Sequence, residues 1–296
     1  MIHITEVGPR DGLQNEKKII PTEQKVDLLE RLVGSGIKKI EAVSFVNPKV
    51  IPQMADAEEV LLRAPRNNNV LYAGLVLSRS GLERAMKTNL DVIHIAMATS
   101  DTFNQKNARR SVAESVEEIT KMVTDIRSAG KPVVVCLGTA FGCPFEGDVP
   151  LQNVFGIAEK FIEAGCTEIT LADTVGVANP EQVSLYVREF IRSFGSEIPL
   201  GLHFHNTRGL GIANAYAGYL SGVRRFDASI AGLGGCPFAP KAVGNVCTED
   251  LVNMFEEMGL DTGIELSGLI ETAKWIEEPI GHILDGMLIK AGLVKH

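Results

Sequence analysis

Short apolar, β-branched runs alternate along the chain with longer amphipathic stretches. Eight runs stand out: Ile2–Val7, Ile40–Phe45, Val70–Leu77, Val92–Ala98, Val133–Leu137, Glu168–Ala172, Leu200–Phe204 and Phe226–Ile230. Between them lie helical patterns at Thr22–Ser35, Ser78–Thr88, Val112–Ala129, Leu151–Ala164, Pro180–Phe194 and Gly209–Gly222. Thr22 ahead of Glu23 and Gln24 reads as a helix cap, and Gly34, Gly130, Gly165 and Gly222 close helices. Near-continuous apolar strands alternating with helices predict a parallel sheet buried on both faces. Eight such units predict an α/β fold, a closed (β/α)8 TIM barrel. The competitor, an open doubly wound sheet, needs a G-x-G-x-x-G turn after the first strand, and Gly8-Pro-Arg-Asp-Gly12 is not one. The tail from about residue 248 to 296 falls outside the eight units. It reads as helices at Glu249–Met258, Leu266–Glu277 and Ile280–Leu288, a C-terminal helical cap on a single domain spanning 1–296.

Composition narrows the function. A chain of 296 residues can bury one large core. Lys and Arg number 29 against 37 Asp and Glu, a net charge of −8, with no basic stripe. That argues against nucleic acid as a partner. Five cysteines, an odd number without a C-x-x-C pair, argue against a disulfide framework or structural zinc and fit a reducing, cytoplasmic compartment. The opening residues start directly in a strand-like run, and no stretch of 18 apolar residues occurs, so neither a signal peptide nor a membrane span is expected.

The chemistry starts at Leu200-Gly-Leu-His-Phe-His-Asn206. Side chains alternate along a strand, so His203 and His205 project together and Phe204 goes to the opposite face. A divalent metal is the partner that best explains two adjacent imidazoles, against the plainer reading of unrelated histidines at a strand end. Catalytic groups in barrels gather at the carboxyl ends of strands. There the chain carries Glu6 to Glu16, then Glu41 and Ser44, then Asp173 and Thr174, then the histidines, then Gly232-Leu-Gly-Gly-Cys236-Pro-Phe. Asp11 is the natural third ligand, and Asn245 could add an amide oxygen; both also suit plain turn positions. Arg10 could steady a developing enolate or form a rim salt bridge to Glu41, or do both. Cys236 sits on a glycine-rich loop, where a thiol could give a proton to a carbanion. It could equally be an inert cysteine, and the glycines could instead hold phosphate. Cys143 reads as structural.

These segments resemble a known family. Val7-Gly-Pro-Arg-Asp-Gly-Leu-Gln-Asn-Glu16, Ser44-Phe-Val-Asn-Pro48, Gly142-Cys-Pro-Phe-Glu-Gly147, Asp173-Thr-Val-Gly-Val177 and Gly232-Leu-Gly-Gly-Cys-Pro237 are similar to hydroxymethylglutaryl-CoA lyases. The likeness runs from about residue 4 to 263 and includes Thr248-Glu-Asp-Leu251. That family belongs with metal-dependent barrels that include isopropylmalate and homocitrate synthases. The resemblance implies cleavage of 3-hydroxy-3-methylglutaryl-CoA, or a close 3-hydroxy-3-substituted acyl-CoA, to acetyl-CoA and a 3-oxo acid such as acetoacetate. It implies a place in leucine catabolism and ketone-body formation, and a homodimer. By the match, Asp11, His203, His205 and Asn245 would hold Mg2+ or Mn2+. His203 would assist proton transfer, Arg10 would hold the enolate oxygen and Cys236 would protonate its carbon. Glu41 and Asp173 would orient Arg10, the ligands or bound water. Asn15 and Lys17, near the mouth, could help hold the CoA tail.

The chain also departs from the family pattern. Asn206, Thr207, Arg208 and Gly209 stand where Asp, Thr, an aromatic residue and Gly are usual, and Lys241 adds a charge after the cysteine loop. These changes predict a pocket rim that sets the acyl substituent. An acetyl-CoA-dependent Claisen-type synthase or an aldolase on the same barrel is the alternative. A non-catalytic scaffold or a His-x-His hydrolase explains fewer of these residues.

Overall fold

The computed structural model describes residues 1–67, 69–234 and 244–294. Eight parallel strands close into a barrel in chain order. They are β1 (His3–Glu6), β2 (Lys39–Ser44), β3 (Leu71–Val76), β4 (Val92–Ala98), β5 (Val133–Gly138), β6 (Glu168–Asp173), β7 (Leu200–Phe204) and β8 (Arg225–Ala228). Closure is made by β1, which pairs with β2 on one side and with β8 on the other, His3 against Arg225 through Glu6 against Ala228. Every predicted apolar run overlaps one strand, with ends that agree within two residues. The core lies between the strands and the surrounding helices, with Ile40, Ile93, Val135, Ile169 and Leu202 fully buried on its sheet side.

The helices are α1 (Thr22–Gly34), α2 (Ala57–Arg63), α3 (Arg79–Ala85), α4 (Asp101–Ala108), α5 (Val112–Ser128), α6 (Leu151–Glu163), α7 (Pro180–Phe194), α8 (Gly211–Leu220), α9 (Thr248–Glu257), α10 (Leu266–Ile280) and α11 (Met287–Ala291). Two of them, α2 and α4, were not legible as amphipathic stretches. Helix α4 buries a polar residue, Asn104, whose amide donates to the Arg110 and Ser111 carbonyls and to Ser115 Oγ. A buried asparagine that satisfies its own amide does the work of an apolar residue without an apolar signal. Thr22 is not the cap of α1. Pro21 precedes the helix, and the Thr22 hydroxyl donates to Asp56 Oδ2 at 2.7 Å. The third tail helix also differs from expectation. Helix α10 continues through Pro279, ends where Gly281 takes a left-handed conformation (φ 85°), and α11 starts only at Met287. The tail does cap the barrel: α10 packs on α1, with the Arg31 guanidinium 4.6 Å above the Trp275 ring.

Two carboxyl groups are sealed below the barrel mouth. Glu6 accepts from the Gly8 and Ile230 amides and from Thr248 Oγ1, so one side chain joins the first turn, the segment after β8 and the start of α9. Glu249 accepts from the Ala231 amide, while its Oε1 is buried with no partner among the described residues. Burial pushes Glu6 up to about 7, against its three hydrogen bonds. Burial, aided by the charges of Asp250 and Glu6, pushes Glu249 up to about 8, against its backbone hydrogen bonds. Both carboxyls ordinarily titrate near 4.5, so the folded chain holds these protons more tightly than the unfolded one. Their contribution to stability is complete below that value and is lost as pH climbs through 7 and 8. A Glu249→Gln variant should therefore melt with a flatter pH dependence above about pH 6 than the parent, and above it at about pH 9. Parallel melting curves would contradict this.

Candidate active site

The first polar cluster is built by the turn after β1. Gly8–Gly12 forms a single π-helical turn in which the Arg10, Asp11 and Gly12 amides all point at the Val7 carbonyl. Such turns often mark functional positions. A side chain at Gly8 has no room, because a Cβ there would lie 2.7 Å from Glu6 Oε1. The turn brings two adjacent side chains together: Arg10 Nη1 donates to Asp11 Oδ1 at 2.6 Å. Arg10 Nε and Nη2 both reach Glu41 Oε2, at 2.7 and 2.6 Å. Glu41 comes from β2 where the register against β3 slips between Glu41 and Val43. An irregularity of this kind re-aims a side chain beside a site. Burial would raise the Glu41 carboxyl, but the Arg10 charge and the His94 ring hold it down at about 2. Burial disfavours the Arg10 cation too, yet Glu41 and Asp11 together keep it fully charged.

The second cluster comes from β7 and the residue after it. The strand stops at Phe204, and His205 continues as a single bridge to Asn245. The expected alternation holds. His203 and His205 face each other with Nε2 atoms 3.4 Å apart, while Phe204 packs on Phe141 on the other side. His203 Nδ1 lies 3.3 Å from Asp227 Oδ2, on β8. A carboxylate at Nδ1 fixes the tautomer and leaves Nε2 with its lone pair. Burial lowers the His203 ring's affinity for a proton, but Asp227 and Asp11 outweigh it and raise it.

The two clusters meet. One ligand atom each from Asp11, His203 and His205 lies within 4.8 Å of the others, the spacing of groups that share one ion. Burial would raise the Asp11 carboxyl, but Arg10, then His203 and His205, hold it below the usual carboxylate range. Asn245 Nδ2 donates to Asp11 Oδ2 at 2.7 Å and to the Leu233 carbonyl, while its Oδ1 is buried without a partner among the described residues. Two imidazoles, a carboxylate and an orphaned amide oxygen form a donor set that fits a divalent cation such as Mg2+ or Mn2+. All of this opens into a cavity of about 190 Å3 lined by Arg10, Asp11, Asn15, Glu41, His94, Cys136, Thr170, His203, His205 and Asp227.

Other expected site residues stand outside the Asp11, His203 and His205 cluster. The Asp173 carboxylate accepts from the Val177 and Ala178 amides in its own loop, while its carbonyl accepts from the His205 amide at 3.4 Å. Burial raises its carboxyl, against those two amides and the Arg208 charge. Asn15 borders the cavity and donates to the Asp11 carbonyl, whereas Lys17 is exposed. Arg208 is exposed and donates to the Val175 and Gly176 carbonyls, bracing a loop instead of lining the cavity. Asn206 accepts from the Gly211 amide at the start of α8. Cys236 and Lys241 lie outside the described residues. Cys143, the second loop thiol, is buried and pairs its backbone with Gly147.

The HMGL-like family model matches residues 1–276. The chain belongs to this family. It is 41% identical to an (R)-citramalyl-CoA lyase of Chloroflexus aurantiacus, covering 99% of this chain and 95% of that one. It is also 41% identical to a hydroxymethylglutaryl-CoA lyase of Bacillus subtilis, with 95% and 93% covered. An HMG-CoA lyase structure from Acinetobacter baumannii, in complex with coenzyme A and 3-methylmalate, superposes with a TM-score of 0.94 at 43% identity, covering 100% and 98%. The HMGL-like chain is thus a CoA-ester lyase, an enzyme that breaks carbon–carbon bonds, on a (β/α)8 barrel. No helix among the described residues is long and apolar enough to cross a membrane.

Two residues of the site escaped the sequence reading, Asp227 and His94. His94 is a lone polar group inside an otherwise apolar strand, and Asp227 shares the short β8 with Arg225. Asp227→Asn should leave the three ligand atoms in place but free the His203 ring, weakening Mn2+ binding by about 10- to 100-fold. Calorimetric titration of Mn2+ checks this; unchanged affinity would contradict it.

Proposed function

We propose that this protein is a divalent-metal-dependent lyase that splits the C2–C3 bond of a 3-hydroxy-3-substituted acyl-CoA carrying a second carboxylate. The products are acetyl-CoA and an oxo acid. 3-Hydroxy-3-methylglutaryl-CoA would give acetoacetate and citramalyl-CoA would give pyruvate; the same bond breaks in both. The observation that carries this reading is the convergence of Asp11, His203 and His205 beside the clamped Arg10 in one cavity. Asp11, His203, His205 and Asn245 would hold Mg2+ or Mn2+, which when bound acidifies a coordinated hydroxyl and polarises a carboxylate.

The chain's own residues do the rest. Arg10 has five N–H donors. Its contacts to Glu41 and Asp11 fix the plane of the guanidinium and leave further N–H groups for the thioester oxygen, where charge builds as the bond breaks. Asp227 holds His203 in one orientation, and Asn245 does the same for Asp11. The Cys236 thiol is assigned the protonation of the enolate carbon, on the family likeness. Asn15 at the cavity and Lys17 beyond it are the first candidates to meet the CoA tail. Buried free thiols at Cys143, Cys166 and Cys247 fit a cytoplasmic setting, and a homodimer is the expected assembly.

The test is a product assay. Purified protein with Mn2+ should release acetyl-CoA from one or both thioesters, lose that activity with a chelator and regain it with added metal. Absence of acetyl-CoA from either substrate, alongside thiol release from acetyl-CoA and a 2-oxo acid, would replace the lyase with a synthase.

A further inference from the structure

Proton removal from the substrate hydroxyl has no free group among the cation ligands. His203 has Asp227 at Nδ1 and faces His205 with Nε2, so both ring nitrogens are committed. A third histidine lines the same cavity. His94, on β4, is 7% exposed, and its Nδ1 lies 3.1 Å from Glu41 Oε1. The other Glu41 oxygen is held by Arg10, which keeps that carboxylate ionised and able only to accept. His94 Nδ1 is then the donor to Glu41, and in that tautomer Nε2 carries a bare lone pair. That nitrogen is buried and has no hydrogen-bond partner among the described residues. A buried acceptor left unmet is costly, and such groups in a cavity wall point to a ligand.

The question is what donates to it. In a hydroxyacyl-CoA of the proposed class, the carboxylate and thioester are acceptors only. The single donor on the acyl part is the tertiary hydroxyl, the group whose proton must leave. We propose that His94 Nε2 is the base that takes this proton, with Glu41 as the carboxylate that orients and supports the ring. The arrangement is the carboxylate–imidazole–hydroxyl order of general base catalysis. This rests on the lyase reading above.

The step balances. The hydroxyl proton passes to Nε2, and the O–H electron pair becomes the carbonyl of the departing oxo acid. The C2–C3 bond breaks and its pair stays on C2 as a thioester enolate. The enolate then takes one proton at carbon and the imidazolium gives one up to solvent, with no oxidant or reductant involved. The charged and titratable groups lining the cavity that His94 shares are Glu41 from β2, Arg10 and Asp11 from the first turn, Cys136 from β5, His203, His205 and Asp227. Glu41 thus has two partners, and its placement by the irregularity in β2 serves Arg10 and His94 together.

His94→Gln should lower kcat by about 100-fold or more while KM moves less than about threefold. Mn2+ binding should be unchanged, since His94 is not a ligand. In His94→Ala, added imidazole should restore kcat at least about tenfold, a gain that a merely structural role would not give. Retention of kcat within threefold in His94→Gln, or no response of His94→Ala to imidazole, would overturn the proposal. A measurement without a variant stands beside these if either fails to fold. A crystal of the parent enzyme with Mn2+ and 3-hydroxy-3-methylglutarate should place the ligand hydroxyl within hydrogen-bond distance of His94 Nε2. A water on Nε2, with the hydroxyl turned away, would refute it. If the parent cleaves neither thioester, the lyase reading falls and this inference with it. If the parent is active and His94→Gln matches it, only this inference falls.

Discussion

Asp11→Asn should reduce kcat by about a thousandfold or more while the barrel stays folded. The carboxylate has three partners: the Arg10 guanidinium, the Asn245 amide, and the point it shares with the two imidazoles. An amide of the same shape can still accept from Asn245, so packing is conserved. What disappears is the negative charge that gathers the cation against two neutral rings. A bound metal supplies several kcal/mol of charge stabilisation in such reactions, and each 1.36 kcal/mol is tenfold in rate. Arg10 and the two histidines hold the Asp11 carboxyl below the usual carboxylate range, against the effect of burial. The parent site is therefore ionised throughout the neutral range, and excess Mn2+ should not rescue the variant. Activity assays over a Mn2+ series, with circular dichroism as control, decide the matter. Activity within about tenfold of the parent would contradict the ligand role.

Arg10→Gln should cost about 100- to 1,000-fold in kcat, the usual effect of removing one preorganised donor to a developing oxyanion. Glu41 and Asp11 are anchored on different elements, so the guanidinium is fixed before substrate arrives. Arg10→Lys should fare little better, because an ammonium cannot bridge two carboxylates in one plane. The structure adds a second consequence. Without Arg10, burial acts on Glu41 and Asp11 unopposed by their main positive neighbour, so both carboxyls rise and metal binding weakens towards acid pH. A pH profile of Mn2+ affinity separates the two effects: in Arg10→Gln its acid limb should move to higher pH. A variant with kcat and profile both unchanged would show that Arg10 is only a rim salt bridge.

Much of this site was legible in the sequence because its chemistry sits in local patterns. His203 and His205 are two apart on a strand, so alternation alone puts them on one face, and Phe204 goes to the other. Arg10 and Asp11 are adjacent in a turn at a strand's end. What escaped depends on barrel curvature. His94 and Asp227 are polar residues within strand-like runs, and no local pattern tells which faces the metal cluster. Asp173 differs from these. It stands at a strand end like the others, but two backbone amides in its own loop take up its oxygens. Arg208 is a cation near the mouth in sequence, yet in the fold it braces the Val175–Gly176 backbone. Helix α4 gave no periodic signal because the position it buries beside Phe103 is the polar Asn104.

The central claim is that one divalent cation is shared by the first turn and the end of β7. Anomalous diffraction at the manganese edge, from crystals soaked in Mn2+, addresses it directly. The account predicts one strong peak in coordination contact with an Asp11 oxygen and with Nε2 of both His203 and His205. A peak at another place, or none among these three groups at saturating Mn2+, would contradict it.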